Sequence, residues 1–247
     1  MEQSSYVITG ASSYLGREMA RYFQKKGGKI VLTSRSVSHE LENLQGDSVR
    51  YLPGLDLTND SDLNQLQLET GKFLVDRFHV LNCIGYFPGY KSIEDTSDQE
   101  ARDTLMSNVL TVFGTANRLL PLMVERGGGF FVGYSMHTAY QHYPYMGIFT
   151  AAKQALEGLI KGISNEYLEK GIHANVVSMA TLLTETECRM KPHGDYDNWL
   201  EPINVCEITD NLIEHSNGLV NGTVIHTYKY SDTYFGQSYI ERIKRDI

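Results

Sequence analysis

The sequence predicts an α/β protein in which one parallel sheet is covered by helices on both faces. Two observations carry this. Short apolar runs of strand length alternate along the chain with longer segments of helical periodicity. Those short runs are apolar throughout, as strands buried on both faces must be. With 247 residues, 41% of them hydrophobic, the chain suits one domain with a sizeable core. No composition shift, repeat or low-complexity tract divides it.

Tyr6 to Thr9 reads as the first strand. A glycine-bearing turn follows, then a helix with Leu15, Met19, Tyr22 and Phe23 on one face, stopped by Gly27-Gly28. Lys29 to Thr33 and Val49 to Leu52 read as the second and third strands, Asp60 to Leu68 as a helix, and His79 to Asn82 as the fourth strand. A long helix is expected between Gln99 and Arg126, with Leu105, Val109, Ala116 and Leu119 at helical spacing, closed by Gly127-Gly128-Gly129. Phe130 to Tyr134 is the fifth strand, Thr150 to Tyr167 a further helix, Ala174 to Ser178 the sixth strand and Thr223 to Thr227 the seventh. Two stretches read as loops, Tyr86 to Asp98 and Met179 to Glu207. Both leave the carboxyl ends of strands, where open α/β sheets bind ligands.

Composition narrows the function classes. A net charge of −8 and a pI near 5.5 argue against a nucleic-acid partner, which needs a basic stripe. No apolar run reaches membrane-span length, and mean hydropathy is −0.30. Met1 to Ser5 is polar and strand-like residues follow at once, so no signal peptide is expected and a cytoplasmic location is. Cys83, Cys188 and Cys206 are widely separated and odd in number, which fits free thiols in a reducing compartment. Cys188 and His193 lack a second pair to close a tetrahedral site, so no metal is expected.

The turn after the first strand has a physical task. In Gly10-Ala11-Ser12-Ser13-Tyr14-Leu15-Gly16, glycines between strand and helix let the backbone approach a pyrophosphate, whose charge suits the helix N-terminus. Ser34 and Arg35 lie just past the second strand, where an adenosine ribose would sit. An acidic residue there would favour the 2′-hydroxyl of NAD; Arg35 suits a 2′-phosphate, unless it is a solvated loop arginine. Asp56-Leu57 follows the third strand, with Asp56 either a cofactor contact or the N-cap of the next helix. Asn82 and Gly85 mark the end of the fourth strand.

These segments resemble the short-chain dehydrogenase/reductase family. TGASSYLG is similar to its TGxxxGxG fingerprint, Asp56-Leu57 to its adenine contact and LNCIG to its NNAG strand end, and the likeness runs from about Tyr6 to about Tyr228. The resemblance implies a single-domain Rossmann fold with a seven-stranded parallel sheet of order 3-2-1-4-5-6-7. It also implies a dinucleotide held by Gly10, Ser12, Ser13, Tyr14, Leu15, Gly16, Ser34, Arg35, Asp56, Leu57, Asn82, Gly85, Lys153 and Thr184. NADP(H) is the expected cofactor, ahead of NAD, and a dimer or tetramer built on the two long helices is the usual assembly.

The family's carbonyl chemistry uses an Asn, Ser, Tyr and Lys. The Tyr protonates the carbonyl oxygen, the Lys four residues later holds the ribose and lowers the Tyr pKa, and one helical turn puts both on one face. Asn108 and Lys153 match the Asn and Lys, but Phe149 stands at the Tyr position and Met136 at the Ser position. Phenylalanine has no proton to give. Ser135 restores the Ser after a one-residue slip. Tyr145, eight residues before Lys153, and His142, eleven before it, are substitute acids if they do more than line a pocket. Tyr14 replaces the central fingerprint glycine, and Met179-Ala180 the family's Pro-Gly, while Thr184 is kept. Cys83 reads as a buried, inert thiol, and the aromatic run from Tyr228 through Tyr230, Tyr234, Phe235 and Tyr239 as interface packing rather than a ligand cage.

Two functions follow as expectations. One is an NADP(H)-dependent oxidoreductase with rewired proton transfer, acting on a small molecule through an activated C=C or C=N bond. The other is a catalytically degenerate subunit supporting an active short-chain partner in a hetero-oligomer.

Overall fold

The computed structural model describes residues 4–192 and 194–229. His193 and the aromatic run beyond Lys229 lie outside the described residues.

Seven strands pair in parallel in the order β3-β2-β1-β4-β5-β6-β7, as expected. They are β1 (Ser5–Thr9), β2 (Lys29–Ser34), β3 (Val49–Pro53), β4 (Phe78–Asn82), β5 (Gly129–Met136), β6 (Ile172–Met179) and β7 (Val224–Thr227). Register places Thr9 opposite Thr33 on one side and Asn82 on the other, and Asn82 opposite Gly133. The carboxyl ends of β1, β2 and β4 therefore lie within a residue of one level, and β5 runs three residues further, to Met136. Alternate residues feed two cores, one per face. Ile8, Leu32, Leu81 and Val132 pack under α1 (Tyr14–Lys25), and Val7, Val31, Val80 and Phe131 pack on the other side. This division is why the strands carry apolar residues on both faces.

The remaining helices are α2 (His39–Glu42), α3 (Asp60–Phe73), α4 (Asp98–Leu105), α5 (Thr111–Glu125), α6 (Thr138–Gln141), α7 (Gly147–Glu166), α8 (Glu185–Met190) and α9 (Pro202–His215). The expected long helix from Gln99 to Arg126 is α4 and α5 joined by a π-helical turn, Met106–Leu110. That turn contains Asn108, and π-turns inside helices are frequent at functional sites.

The segment Met179 to Glu207 is not the loop the sequence suggested. It holds α8, a 3-10 turn at Tyr196–Asn198 and the start of α9. α8 is capped by Thr184, whose side chain accepts from the Glu187 N–H, and α9 opens with Pro202 in its first turn. α9 packs on α1, with the Tyr22 hydroxyl donating to Asp210 (3.0 Å) and Lys26 paired to the same carboxylate (2.6 Å). No helix among the described residues is long and apolar enough to cross a membrane.

Candidate active site

Three adjoining chambers run along the carboxyl ends of the strands. The nucleotide chamber, about 230 Å³, lies between Gly10, Arg35 and Asp56. The middle chamber, about 390 Å³, shares Cys83, Gly85 and Tyr86 with it and reaches Lys153 and Phe149. The inner chamber, about 120 Å³, shares Phe87, Met136, Phe149, Met179 and Glu187 with the middle one and ends at Lys191 and Trp199.

The nucleotide chamber is built mainly from backbone. Gly10 sits at φ +66, and a Cβ there would stand 2.8 Å from the Ile84 nitrogen. A Cβ on Gly16 would stand 2.3 Å from the Gly10 carbonyl oxygen, so helix and turn approach closely only because both are glycine. Ser13 caps α1 by accepting from the Gly16 N–H (3.0 Å), and the first-turn N–H groups of Tyr14 and Leu15 have no carbonyl behind them in the helix. The Tyr14 ring is exposed and carries the Arg17 guanidinium over its face at 4.8 Å, while Arg17 also donates to the Ser12 carbonyl.

Arg35 is exposed at the chamber wall, and the Ser34 hydroxyl beside it is engaged with Tyr51 and the Ser36 carbonyl. Asp56 is not a helix cap. Its carboxylate accepts from the N–H and hydroxyl of Thr58, and α3 is capped by Asn59. Leu57 is buried in the core beneath the chamber wall. Asn82 is fully buried; its Oδ1 accepts from Ile84, and its Nδ2 has no partner among the described residues. A cradle that a Cβ would fill, uncommitted helix N–H groups and an orphaned amide beside them fit a dinucleotide phosphate and its riboses.

At the middle chamber, Asn108 donates to the Tyr86 carbonyl (2.8 Å) and the Thr104 carbonyl (2.9 Å), tying the loop after β4 to the π-turn. Lys153 donates to the Tyr134 carbonyl (3.1 Å) and lies over the Phe149 ring. The Lys153 Nζ and Asn108 Oδ1 both flank Gly85 closely enough to touch a Cβ placed there. Burial lowers the Lys153 ammonium to about 8, against an opposing pull from Glu157. Cys83 is buried and its thiol is pushed well up by desolvation, as an inert thiol should be. Thr184 lines this chamber while capping α8.

Of the expected substitute residues, Ser135 lines the middle chamber, while Tyr145 and His142 line none of the three. Tyr134 and Met136 face the α1 side of the sheet, so Ser135 between them faces α7, where its hydroxyl donates to Glu157 (2.6 Å). Ser135 nevertheless lines the middle chamber with Met136 and Lys153, with its hydroxyl committed to Glu157. Tyr145 and His142 stand on the surface outside the three chambers, both with left-handed backbone (φ 63 and 54). These two residues precede α7, so helical spacing from Lys153 does not apply to them. The chain turns outward at each, and Tyr143 and Met146 point inward instead. His137 also lines the inner chamber, its ring edge-on to Tyr140 and His226. The crowding of titratable groups from His137 to Tyr145 marks a pocket-lining segment in the sequence, and His137 and Tyr143 do line the inner chamber, whereas no spacing signal marks Trp199 as a wall residue.

The comparisons with known proteins agree with this architecture. The model of the family described as Enoyl-(Acyl carrier protein) reductase matches residues 10–208. An uncharacterized oxidoreductase of Thermotoga maritima is 27% identical over 184 residues, 72% of each chain. A short-chain type dehydrogenase/reductase from Mycobacterium ulcerans superposes with a TM-score of 0.84 at 19% identity, covering 92% of this chain and 89% of that one. A tyrosine-to-phenylalanine variant of ElxO with NADPH bound gives 0.81 at 22% identity, covering 91% and 97%. The fold is that of an oxidoreductase scaffold. The chain belongs to the short-chain dehydrogenase/reductase family.

Proposed function

We propose that this protein is an NADP(H)-dependent oxidoreductase with an atypical active site, acting on a small molecule held in the inner chamber. The observation that carries this reading is the convergence of Lys153 and Asn108 on Gly85, one chamber away from the Gly10–Gly16 cradle. Gly10, Ser12, Ser13, Tyr14, Leu15 and Gly16 would hold the pyrophosphate, with Asp56, Leu57 and Asn82 along the adenosine side. Arg35 would pair a 2′-phosphate. Lys153 would hold the nicotinamide ribose, with Thr184 nearby. When bound, the nicotinamide supplies a hydride. The ElxO variant bears on this reading because it holds NADPH with a tyrosine replaced by phenylalanine.

Residues around the reacting centre set a limit on the chemistry. Phe149 and Met136 offer no proton and no hydrogen bond to a forming alkoxide. Ketone reduction at this point would have to build an oxyanion without support, and a substrate that accepts hydride without a local oxyanion avoids that cost.

NADPH is expected to raise the melting temperature more than NADH at equal concentration, and Arg35→Asp to reverse the preference. Equal or absent shifts with both nucleotides would remove the cofactor assignment. A second reading, a degenerate subunit of a hetero-oligomer, is favoured by the joint change at Phe149 and Met136 and by exposed Leu105, Leu110 and Phe113 on the long helix. Phe149→Tyr combined with Met136→Ser separates the two. NADPH-dependent reduction of small aldehydes by the double variant, with none by the parent on any acceptor, supports the second reading.

A further inference from the structure

At the amino ends of the strands, across the sheet from the cleft, lies a cavity of about 950 Å³. Three rings on neighbouring strands make its floor. Phe130 on β5 is flanked by His79 on β4 and His173 on β6, with ring centroids 5.8 and 5.3 Å from its own. The end of α9 closes over them. Glu214 lies in its last turn, and Gly218 follows at φ +73, where a Cβ would stand 2.6 Å from the His173 Nε2.

The polar groups of this wall are largely uncommitted. His79 is buried and its Nδ1 accepts from the Phe130 N–H (3.1 Å), which puts the imidazole proton on Nε2, without a partner among the described residues. The His173 Nδ1 is enclosed and has no partner there either. Burial and the Arg77 charge hold His79 down to about 3 and lower His173 as well, so both imidazoles are neutral at pH 7. Arg77 is exposed and makes no ion pair or hydrogen bond among the described residues. Lys29, the other cation of the wall, has its ammonium drawn over the Phe73 ring at 4.7 Å, and Phe73 packs on the opposite face of the sheet. Glu214 accepts from the Ser4 hydroxyl (3.1 Å) and its charge acts on Tyr6, whereas that of Arg77 reaches the two histidines. The cavity thus has a cationic end and an acidic end that do not meet. No three His, Cys, Asp or Glu side chains among the described residues are placed to hold a metal ion.

We propose that this basal cavity is a second binding site, for a zwitterion of dipeptide size, with its carboxylate at Arg77 and His79 and its ammonium at Glu214. A simple anion would face Asp76 and Glu214, and a simple cation would face Arg77, so each is opposed by part of the wall. A molecule that carries both charges, held apart, offsets both ends. The guanidinium fork and the His79 Nε2–H match the two oxygens of a carboxylate. The C-terminal end of the α9 dipole adds to the pull of Glu214 on an ammonium. The volume is that of a small-molecule site rather than of a single ion. The site is remote from the Gly10–Gly16 cradle and does not depend on the oxidoreductase reading.

The probe is alanylphenylalanine, beside its N-acetyl form, which lacks the ammonium, and its amide, which lacks the carboxylate. Binding is read by calorimetry and by the ring signals of isotope-labelled histidine, assigned with His79→Gln and His173→Gln. The free dipeptide is expected to move the His79 and His173 signals and to bind about tenfold tighter than either blocked form, the scale of one charged hydrogen bond. Arg77→Gln should make the dipeptide and its amide bind alike, and Glu214→Gln the dipeptide and its N-acetyl form. Both positions are exposed, so both variants are expected to fold, with thermal midpoints as the check.

A blocked form that binds as tightly as the free dipeptide overturns the proposal, and so do preferences that survive in the two variants. Absence of both heat and histidine shifts at about 10 mM dipeptide overturns it as well. Movement of His137 in place of His79 and His173 would put the ligand in the inner chamber and remove the basal assignment.

Discussion

The nucleotide end of the cleft and its inner end sit on the same row of strand termini, yet they are built differently. The cradle of the nucleotide end is made of turn backbone, two glycines and the first turn of α1, all within one short stretch of chain, with Arg35, Asp56 and Gly85 added from the ends of β2, β3 and β4. The inner end is made of side chains from separate segments: Phe87 after β4, Met136 at the end of β5, Phe149 in α7, and Lys191 and Trp199 beyond α8. A backbone-built site is fixed once the fold forms, because changing it means breaking a turn. A side-chain-built site changes with each substitution and leaves the fold standing. In this chain the Gly10–Gly16 turn is of the first kind and the wall at Phe149 and Met136 of the second.

The largest expected effects test whether the nucleotide end is as unforgiving as its geometry implies. Gly16→Ala drives a methyl into the Gly10 carbonyl, and we expect a loss of about 3 kcal/mol in denaturant stability together with loss of the NADPH thermal shift. A variant that keeps both would mean that the turn yields, and the contrast between the two ends would weaken.

Lys153 lines the middle chamber between the two ends and is expected to be held at a cost. The folded protein releases its proton near 8, whereas the unfolded chain keeps it to the ordinary 10.5. Unfolding therefore takes up a proton between those values. The cost is fully present below pH 8 and is relieved as pH rises toward 10.5, by on the order of 2–4 kcal/mol. Tyr134 and Cys83, whose pKa values are raised by burial, act oppositely in alkali. The difference between the wild type and Lys153→Met isolates the lysine. Its stability advantage for the variant should shrink as pH climbs from 8 to 10.5, and parallel urea midpoints across that range would refute the burial.

At the nucleotide rim, Arg35→Asp is expected to weaken NADPH about tenfold to a hundredfold and to leave NADH unchanged or tighter, measured by fluorescence titration. The smallest effect belongs to Ser135. Ser135→Ala removes its bond to Glu157 and should cost about 1 kcal/mol in urea unfolding. An unchanged urea midpoint would mean that this bond contributes nothing to stability.

The fold and the geometry of the Gly10–Gly16 turn were legible in the sequence because their signals are local. Strand β1, the Gly10–Gly16 turn and the first face of α1 lie within twenty residues, and β2 with Arg35 comes next. α9 was missed although Pro202 marked its start, since Cys206, Thr209 and Asp210 on its buried face do not read as an apolar stripe. Thr184 and Glu187 likewise carried the cap signal of α8, masked by the polar run around them.

What the sequence determined by itself is the α/β alternation, the parallel sheet and a first turn that only glycine can make, because each follows from periodicity and backbone sterics over a few neighbouring residues. Tertiary structure alone decided which side chains face the inner chamber. Ser135 turns to α7 by strand alternation, and His142 and Tyr145 turn to solvent through left-handed backbone. Lys191 and Trp199 arrive from beyond α8. Those placements depend on packing between segments far apart in the chain, and spacing along one segment does not encode the direction in which another approaches it.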